Sequence, residues 1–347
     1  MKQNKQTVEF PADAAQGPIL KVRGLSVHYQ TMDDTVYAVN DLDLEIPRGK
    51  TLGLVGETGA GKTTTGLAIL RLLQTPPAVL DGGEIQYNGL DMQTLTEKQM
   101  QSIRGGRISM IFQDPMTSLN PVMTVEEQIA ESILKHQDLS KKEAMEKAGD
   151  MLEMVGIPRA RGGEYQHQFS GGMKQRVMIA IALACEPELL IADEPTTALD
   201  VTIQAQVLEK IRELRSHYGT SMLMITHDLG VIAEVCDEVS VIYAGHIIEH
   251  GTLEDIFDHC LHPYTKGLFD SLPDLEHRKV RFKPIPGMMP DPTDLPEGCP
   301  FWPRCKYATE VCKQEKPARA WRTAAHYVEC HLYRDGEITK SEVRDDG

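Results

Sequence analysis

The sequence predicts an α/β protein: a largely parallel sheet covered by helices, with an antiparallel β subdomain, a helical insertion and a small Cys-rich C-terminal extension. Three observations carry this. Residues 56–63 read GETGAGKT, which fits G-x-x-x-x-G-K-[ST], a phosphate-binding loop when a strand precedes it and a helix follows. Past residue 170, helical and apolar strand segments alternate, as they do in parallel sheets. After His262-Pro263 the composition shifts sharply towards Pro, Cys and aromatic residues.

Taken in order, residues 1–18 are polar with Pro11 and Gly17-Pro18, and read as a mobile tail. Ile19 to Tyr29 and Val36 to Ile46 alternate apolar and polar residues, the pattern of half-buried antiparallel strands. Pro47-Arg48-Gly49-Lys50 then turns the chain into the apolar strand Thr51 to Val55, which feeds the loop. Behind the loop, Leu67, Leu70 and Leu73 at helical spacing predict a helix from Thr64 to Leu73. Gly82-Gly83 and Asn88-Gly89 bracket a short strand, Glu84 to Tyr87, and a further strand, Arg107 to Phe112, ends at Gln113.

Asp114 to Met123 is a Pro-broken loop, and Thr124 to Val155 is helical in pattern, with Ser140 and Glu143 spaced as a capping box. Residues 114–170 thus form a helical subdomain inserted in the α/β domain. The pattern resumes as helix 173–184, strand 189–193, helix 202–217, strand 221–225, helix 228–235 and two strands to about 250. A boundary falls near residue 260, followed by an extension over 261–335 and a disordered tail at 336–347.

With 36 basic against 51 acidic residues the net charge is -15, which argues against nucleic acid as a partner. No apolar run approaches the ~20 residues that span a bilayer. The N-terminus lacks the apolar core of a secretion signal. Seven cysteines without an export signal imply a reducing compartment, where clustered thiols more often hold metal than pair as disulfides.

The candidate chemistry begins at Gly56, Glu57, Thr58, Gly59, Ala60, Gly61, Lys62, Thr63 and Thr64. The glycines let backbone N–H groups point at phosphate oxygens, and the helix dipole adds a favourable field. Lys62 would reach the outer phosphates and the Thr63 hydroxyl would ligate Mg2+. Leu189 to Glu194 is a buried strand ending in two carboxylates: Asp193 as the magnesium partner of the loop, Glu194 as the group that polarises an attacking water. Gln113 and His227, each just beyond a strand end, are candidates for contacts to metal or water and to the terminal phosphate. Tyr29 offers an aromatic face for a purine. Ser170-Gly171-Gly172 at a helix start make a second anion-binding end, surplus to one nucleotide and so suited to another chain's.

The order of these pieces resembles the ATP-binding-cassette (ABC) ATPases over residues 19 to about 255. The resemblance implies an ABC-type P-loop ATPase with a RecA-like core. It makes Tyr29 the adenine-stacking aromatic, Gly56 to Thr63 the Walker A motif and Gln113 the Q-loop. Ser170 to Met173 become the signature, Asp193 and Glu194 the Walker B pair with the catalytic base, Ala198-Leu199-Asp200 the D-loop and His227 the switch histidine. In that family two cassettes face head to tail, and each ATP is held between one Walker A and the partner's signature. Met173 departs from the usual glutamine, a variant similar to the D-type ATPase of peptide importers. With Glu194 and His227 both present, the chain's own Walker site is expected to be hydrolytic.

Residues 262–268, 285–287, 298–301 and 304–305 are similar to the C-terminal extension of oligopeptide and dipeptide importer ATPases. This implies peptide uptake as a peripheral subunit on the cytoplasmic face, with a second, paralogous F-type ATPase, two transmembrane permeases and, indirectly, a substrate-binding protein. A nickel-chelate or other small-solute importer, a soluble cassette acting on nucleic acid or the ribosome, and a non-hydrolytic nucleotide binder are the alternatives. Cys299, Cys305, Cys312 and Cys330 lie in the extension, and a helix through Lys306 to Val311 would put Cys305 and Cys312 on one face. Four thiolates fit a 4Fe-4S cluster, and some relatives' extensions are thought to carry one; zinc and unligated thiols are the other readings. Cys185, Cys236 and Cys260 read as packing cysteines.

Overall fold

The computed structural model describes residues 8, 10, 11, 16–114, 118–196, 201–271 and 284–333. In chain order the main elements are β1 (Leu20–Gln30), β2 (Thr35–Ile46), β3 (Thr51–Val55), α1 (Lys62–Ile69), β4 (Ala78–Tyr87), β5 (Leu90–Asp91), α2 (Glu97–Ile103) and β6 (Ile108–Ile111). There follow α3 (Val125–His136), α4 (Lys141–Met154), α5 (Gly171–Leu183), β7 (Leu189–Asp193), α6 (Val201–Tyr218), β8 (Ser221–Thr226) and α7 (Leu229–Val235). The last are β9 (Glu238–Tyr243), β10 (His246–Thr252), α8 (Leu253–His259), α9 (Pro263–Asp270), α10 (Glu310–Gln314), β11 (Arg319–Trp321) and β12 (Tyr327–Glu329). No helix among the described residues is long and apolar enough to cross a membrane.

Two sheets organise these elements. The antiparallel one has the order β2-β1-β4-β5, and the larger one β11-β12-β10-β9-β3-β8-β7-β6. Within the larger sheet β9, β3, β8, β7 and β6 run parallel. Those strands are buried on both faces, which is why they read as near-continuous apolar runs. Alternate side chains go to opposite sides. Leu189, Ile191, Leu223 and Ile225 enter a core with α1 and the antiparallel sheet. Leu190, Ala192, Met222 and Met224 enter a second core with α3, α4 and α5.

Register decides where chemistry can gather. Val55 pairs with Thr226, Asp193 with Ile225 and Ile111 with Ala192, so β3, β8, β7 and β6 end level with one another. The residues that follow, beginning at Gly56, Glu194, His227 and Phe112, leave the sheet along one edge. In open parallel sheets this carboxyl edge is where ligands bind.

The helical segment 124–155 carries two sequence-coded helix starts, and α5 after it a third. Thr124 and Glu127, and Ser140 and Glu143, each form a reciprocal capping box, and Ser170 caps α5 by accepting the Met173 N–H.

Four expectations change. The helix behind the loop stops at Ile69 rather than Leu73: Arg71 takes φ +52°, and the Arg104 guanidinium binds the Leu70 and Arg71 carbonyls at 2.7 and 3.0 Å. Strand β4 begins at Ala78 and runs through Gly82-Gly83, because a register shift against β1 and the φ of +99° at Gly83 absorb the glycines without breaking the ladder. Phe10, inside the stretch read as a mobile tail, packs edge-on against Tyr87 with ring centroids 5.7 Å apart. Cys305 and Cys312 do not share a helix face: residues 306–307 turn, 308–309 are irregular, and α10 spans only Glu310–Gln314. The Cys312 carbonyl is instead held by the Cys299 N–H at 2.8 Å.

The extension adds to the main sheet, since β12 pairs antiparallel with β10 and β11 with β12. A buried polar knot secures that join. The Glu249 carboxylate accepts the Leu261 and His262 N–H groups at 2.6 and 3.0 Å and lies 3.1 Å from His326 Nε2. Cys185 and Cys236 are buried and Cys260 half-buried, and all three are free thiols.

Candidate active site

The loop from Gly56 to Thr64 is held by contacts that need glycine at two places. A Cβ on Gly56 would stand 2.2 Å from the Ile242 carbonyl oxygen, and one on Gly61, at φ +100°, 2.2 Å from that of Ala38. Gly59, at φ +86°, faces open space. The Ala60 N–H bonds back to the Glu57 carbonyl at 3.2 Å, and α1 starts at Lys62 with no side-chain cap. Its first N–H groups are therefore available to an anion.

Lys62 is buried and donates to the Gly56 and Glu57 carbonyls at 2.7 and 3.0 Å. Burial lowers its pKa, against the carboxylates of Glu194, Asp193 and Glu57, which raise it. The loop thus stores an ammonium on its own backbone, beside three acidic groups.

Asp193 is 1 % exposed. Burial pushes its carboxyl from 3.8 up to about 6, opposed by a hydrogen bond with Thr63, and Glu194 pushes the same way. Its Oδ1 has no hydrogen-bond partner. A buried, orphaned carboxylate oxygen beside the Thr63 hydroxyl is the hard oxygen donor set that Mg2+ takes. These residues fit the ion.

Glu194 adopts φ +47°, an uncommon conformation for a non-glycine residue, with its N–H on the Ile225 carbonyl at 2.8 Å. This turns its carboxylate onto His227, whose Nδ1 lies 2.8 Å from Oε1. Glu194 is buried while the His227 side chain is 56 % exposed, so the pair joins the interior to the surface. Gln113 follows β6 and is exposed. Tyr29 lies at the end of β1, its hydroxyl 3.2 Å from Thr64 Oγ1, which fixes its ring beside the loop.

Ser170 and Gly171 are exposed at the start of α5, and Gly171 has nothing within 4 Å of a would-be Cβ. Arg161 donates to Met173 Sδ at 3.4 Å, so the methionine is tied into the Arg161 to Glu164 pair. Asp200, with Ala198 and Leu199, lies outside the described residues.

The four cysteines of the extension are electrostatic neighbours. Burial raises the Cys299 thiol to about 11, with Cys312 and Cys305 adding to the rise. It raises Cys330 to about 12, with Cys299, Cys305 and Cys312 adding again. Among the described residues, no group of three or more His, Cys, Asp or Glu side chains has the arrangement to hold a single metal ion.

One part of the site has no local signal in the sequence. Arg304, 247 positions from Glu57, makes two bonds to its carboxylate, at 2.6 and 3.1 Å, and Tyr264 Oη accepts the Glu57 N–H at 2.9 Å. Only tertiary structure brings the extension onto the loop.

Residues 39–197 match the family model of ABC transporters, and residues 248–312 that of the C-terminal region of oligopeptide/dipeptide transporters. The chain is 46 % identical over 319 residues to the oligopeptide transport ATP-binding protein AppD of Bacillus subtilis (strain 168), covering 91 % of this chain and 97 % of that one. It is 48 % identical over 305 residues to the oligopeptide transport ATP-binding protein OppD of Salmonella typhimurium, covering 87 % and 90 %. To the dipeptide transport ATP-binding protein DppD of Bacillus subtilis it is 48 % identical over 316 residues, covering 90 % and 94 %. Among solved structures, a dimeric post-hydrolysis state of the ATP-binding cassette MJ0796 bound to ADP and Pi is similar, with a TM-score of 0.62 and 26 % identity over 67 % of this chain and 98 % of that one.

Proposed function

We propose that this chain, which belongs to the ABC transporter family, is the ATP-hydrolysing subunit of a peptide importer, peripheral to the membrane on its cytoplasmic face. One observation carries the hydrolytic reading: a phosphate loop, a buried carboxylate pair and a histidine converge where β3, β7 and β8 end, with Glu194 and His227 2.8 Å apart. The peptide reading rests on the match of residues 248–312 and on the relatives named for oligopeptide and dipeptide transport.

In this reading the backbone of Gly56 to Lys62 holds the phosphates. Lys62 leaves its two loop carbonyls for phosphate oxygens, a move that trades neutral acceptors for charged ones. Thr63, Asp193 and Gln113 are the groups proposed for Mg2+, which when bound neutralises charge developing between the outer phosphates. Glu194 orients a water and accepts its proton, and His227, hydrogen-bonded to it, fixes the carboxylate and faces the terminal phosphate. The Tyr29 ring takes the adenine. Ser170, Gly171 and Gly172 are left for the nucleotide of a second cassette, with Asp200 at the junction. That cassette, of the paralogous F type, and two permeases complete the importer, with residues 19–260 as the ATPase domain.

The four thiols of the extension are proposed ligands of a 4Fe-4S cluster. Their mutual electrostatic proximity and the four-thiol donor set support this reading.

The Glu194→Gln variant tests the assignment in the assembled complex. Turnover should fall at least ~100-fold while ATP is retained and occluded; turnover near that of the parent would remove Glu194 from the role of base.

A further inference from the structure

The phosphate-loop pattern asks nothing of the residue after its first glycine, yet that residue here is a carboxylate, Glu57, beside a site for a polyanion. Its charge reaches Lys62. Left uncompensated it would repel phosphate and keep Lys62 on the loop. The compensation comes from the far end of the chain. The Arg304 side chain, 4 % exposed, grips both Glu57 oxygens, and its hydrogen bond to Glu57 holds it firmly in the charged form. Arg304 is itself fixed on every side: Nε donates to the Pro286 carbonyl at 2.9 Å, Nη2 to that of Ile285 at 3.4 Å and Nη1 to Tyr243 Oη at 3.3 Å. The main chain around it is a hydrogen-bonded turn running from Cys299 to Cys305, with the Trp302 N–H on the Cys299 carbonyl and the Cys305 N–H on that of Trp302. Tyr264, also outside the sheet, fixes the Glu57 N–H.

We infer that Arg304 is a positioning residue for ATP: the Cys299 to Cys305 turn of the extension holds the phosphate loop through Arg304 and cancels the Glu57 charge. The inference rests on the reading of residues 56–64 as the nucleotide site. An ion pair with one buried and one partly exposed partner contributes little to stability once desolvation and solvent screening are counted, so a role in holding the loop accounts better for its presence. The planar fork matters, because an ammonium cannot make the two parallel bonds.

The test is a titration of the full-length chain with a fluorescent ATP analogue and Mg2+, in four forms: the parent, Arg304→Ala, Glu57→Gln and the double variant, with Arg304→Lys and melting curves alongside. Arg304→Ala should raise the Kd about five- to tenfold, the scale of a modest coupling between sites. In the Glu57→Gln background the same change should have less than a twofold effect, because the carboxylate that needs the guanidinium is gone. Arg304→Lys should recover part of the loss. If Arg304→Ala melts early, Arg304→Lys in the two backgrounds provides the same comparison. A Kd within twofold of the parent, or an equal loss in both backgrounds, overturns the inference. No ATP binding by the parent would overturn the nucleotide reading, and the clamp with it.

Discussion

Asp193 is where the architecture works against itself. Its carboxylate lies in the interior with one oxygen unpartnered, and burial raises its pKa from 3.8 to about 6. A rise of about two units corresponds to about 3 kcal/mol between the charged and neutral forms. Because the folded-state value lies above the unfolded one, folded protein holds this proton more tightly. The cost is absent below about pH 4, grows as pH rises through the interval to about 6, and is full above it. Asp193→Asn keeps the shape and removes the charge, so without nucleotide it should be more stable than the parent by about 1 to 3 kcal/mol at pH 8. The advantage should vanish near pH 4, where both side chains are neutral. The same change should remove the gain in stability that Mg2+ adds over ATP alone, because the ion loses its anionic ligand. Urea unfolding at pH 4 and 8, with and without ATP and Mg2+, measures all of this. A variant no more stable than the parent at pH 8, or one that keeps the full magnesium-dependent gain, would refute the reasoning.

The other outcomes follow from local geometry. Gly61→Ala forces a Cβ to within 2.2 Å of the Ala38 carbonyl oxygen at φ +100°, and should cost roughly 2 kcal/mol or more and abolish ATP binding. Gly59→Ala, at φ +86° in open space, should cost only the left-handed strain of about 1 to 2 kcal/mol, a contrast that melting and nucleotide titration resolve. For the four thiols, anaerobically purified protein should be brown and carry about four iron and four sulfide per chain. Colourless protein with stoichiometric zinc would exclude the cluster.

Much of this was legible in the sequence because it is encoded by neighbours. The GETGAGKT loop, the apolar run ending in Asp193-Glu194 and the Ser140 to Glu143 capping box each depend on residues a few positions apart, and period-two and period-3.6 patterns report on one element at a time. The end of α1 was not legible. Leu70 and Leu73 keep a helical spacing, but the Arg104 guanidinium takes the carbonyls that a longer helix would use. Nor was the path of β4, whose glycines read as breaks and act as a bulge, since that depends on the partner strand β1.

The sequence by itself supplied the inventory of the candidate site: a phosphate-loop pattern, an acidic strand end, a histidine after a strand, and a Ser-Gly-Gly helix start. Tertiary structure decided their relation. The parallel register levels the ends of β3, β7 and β8, the positive φ of Glu194 turns it onto His227, and the extension folds back to set Arg304 on Glu57. The physical reason is range. Turn and helix preferences act over a few residues, whereas pairing Glu57 with Arg304 closes a loop of 247 positions, and only the packed sheet and its buried aromatic and polar contacts hold that closure.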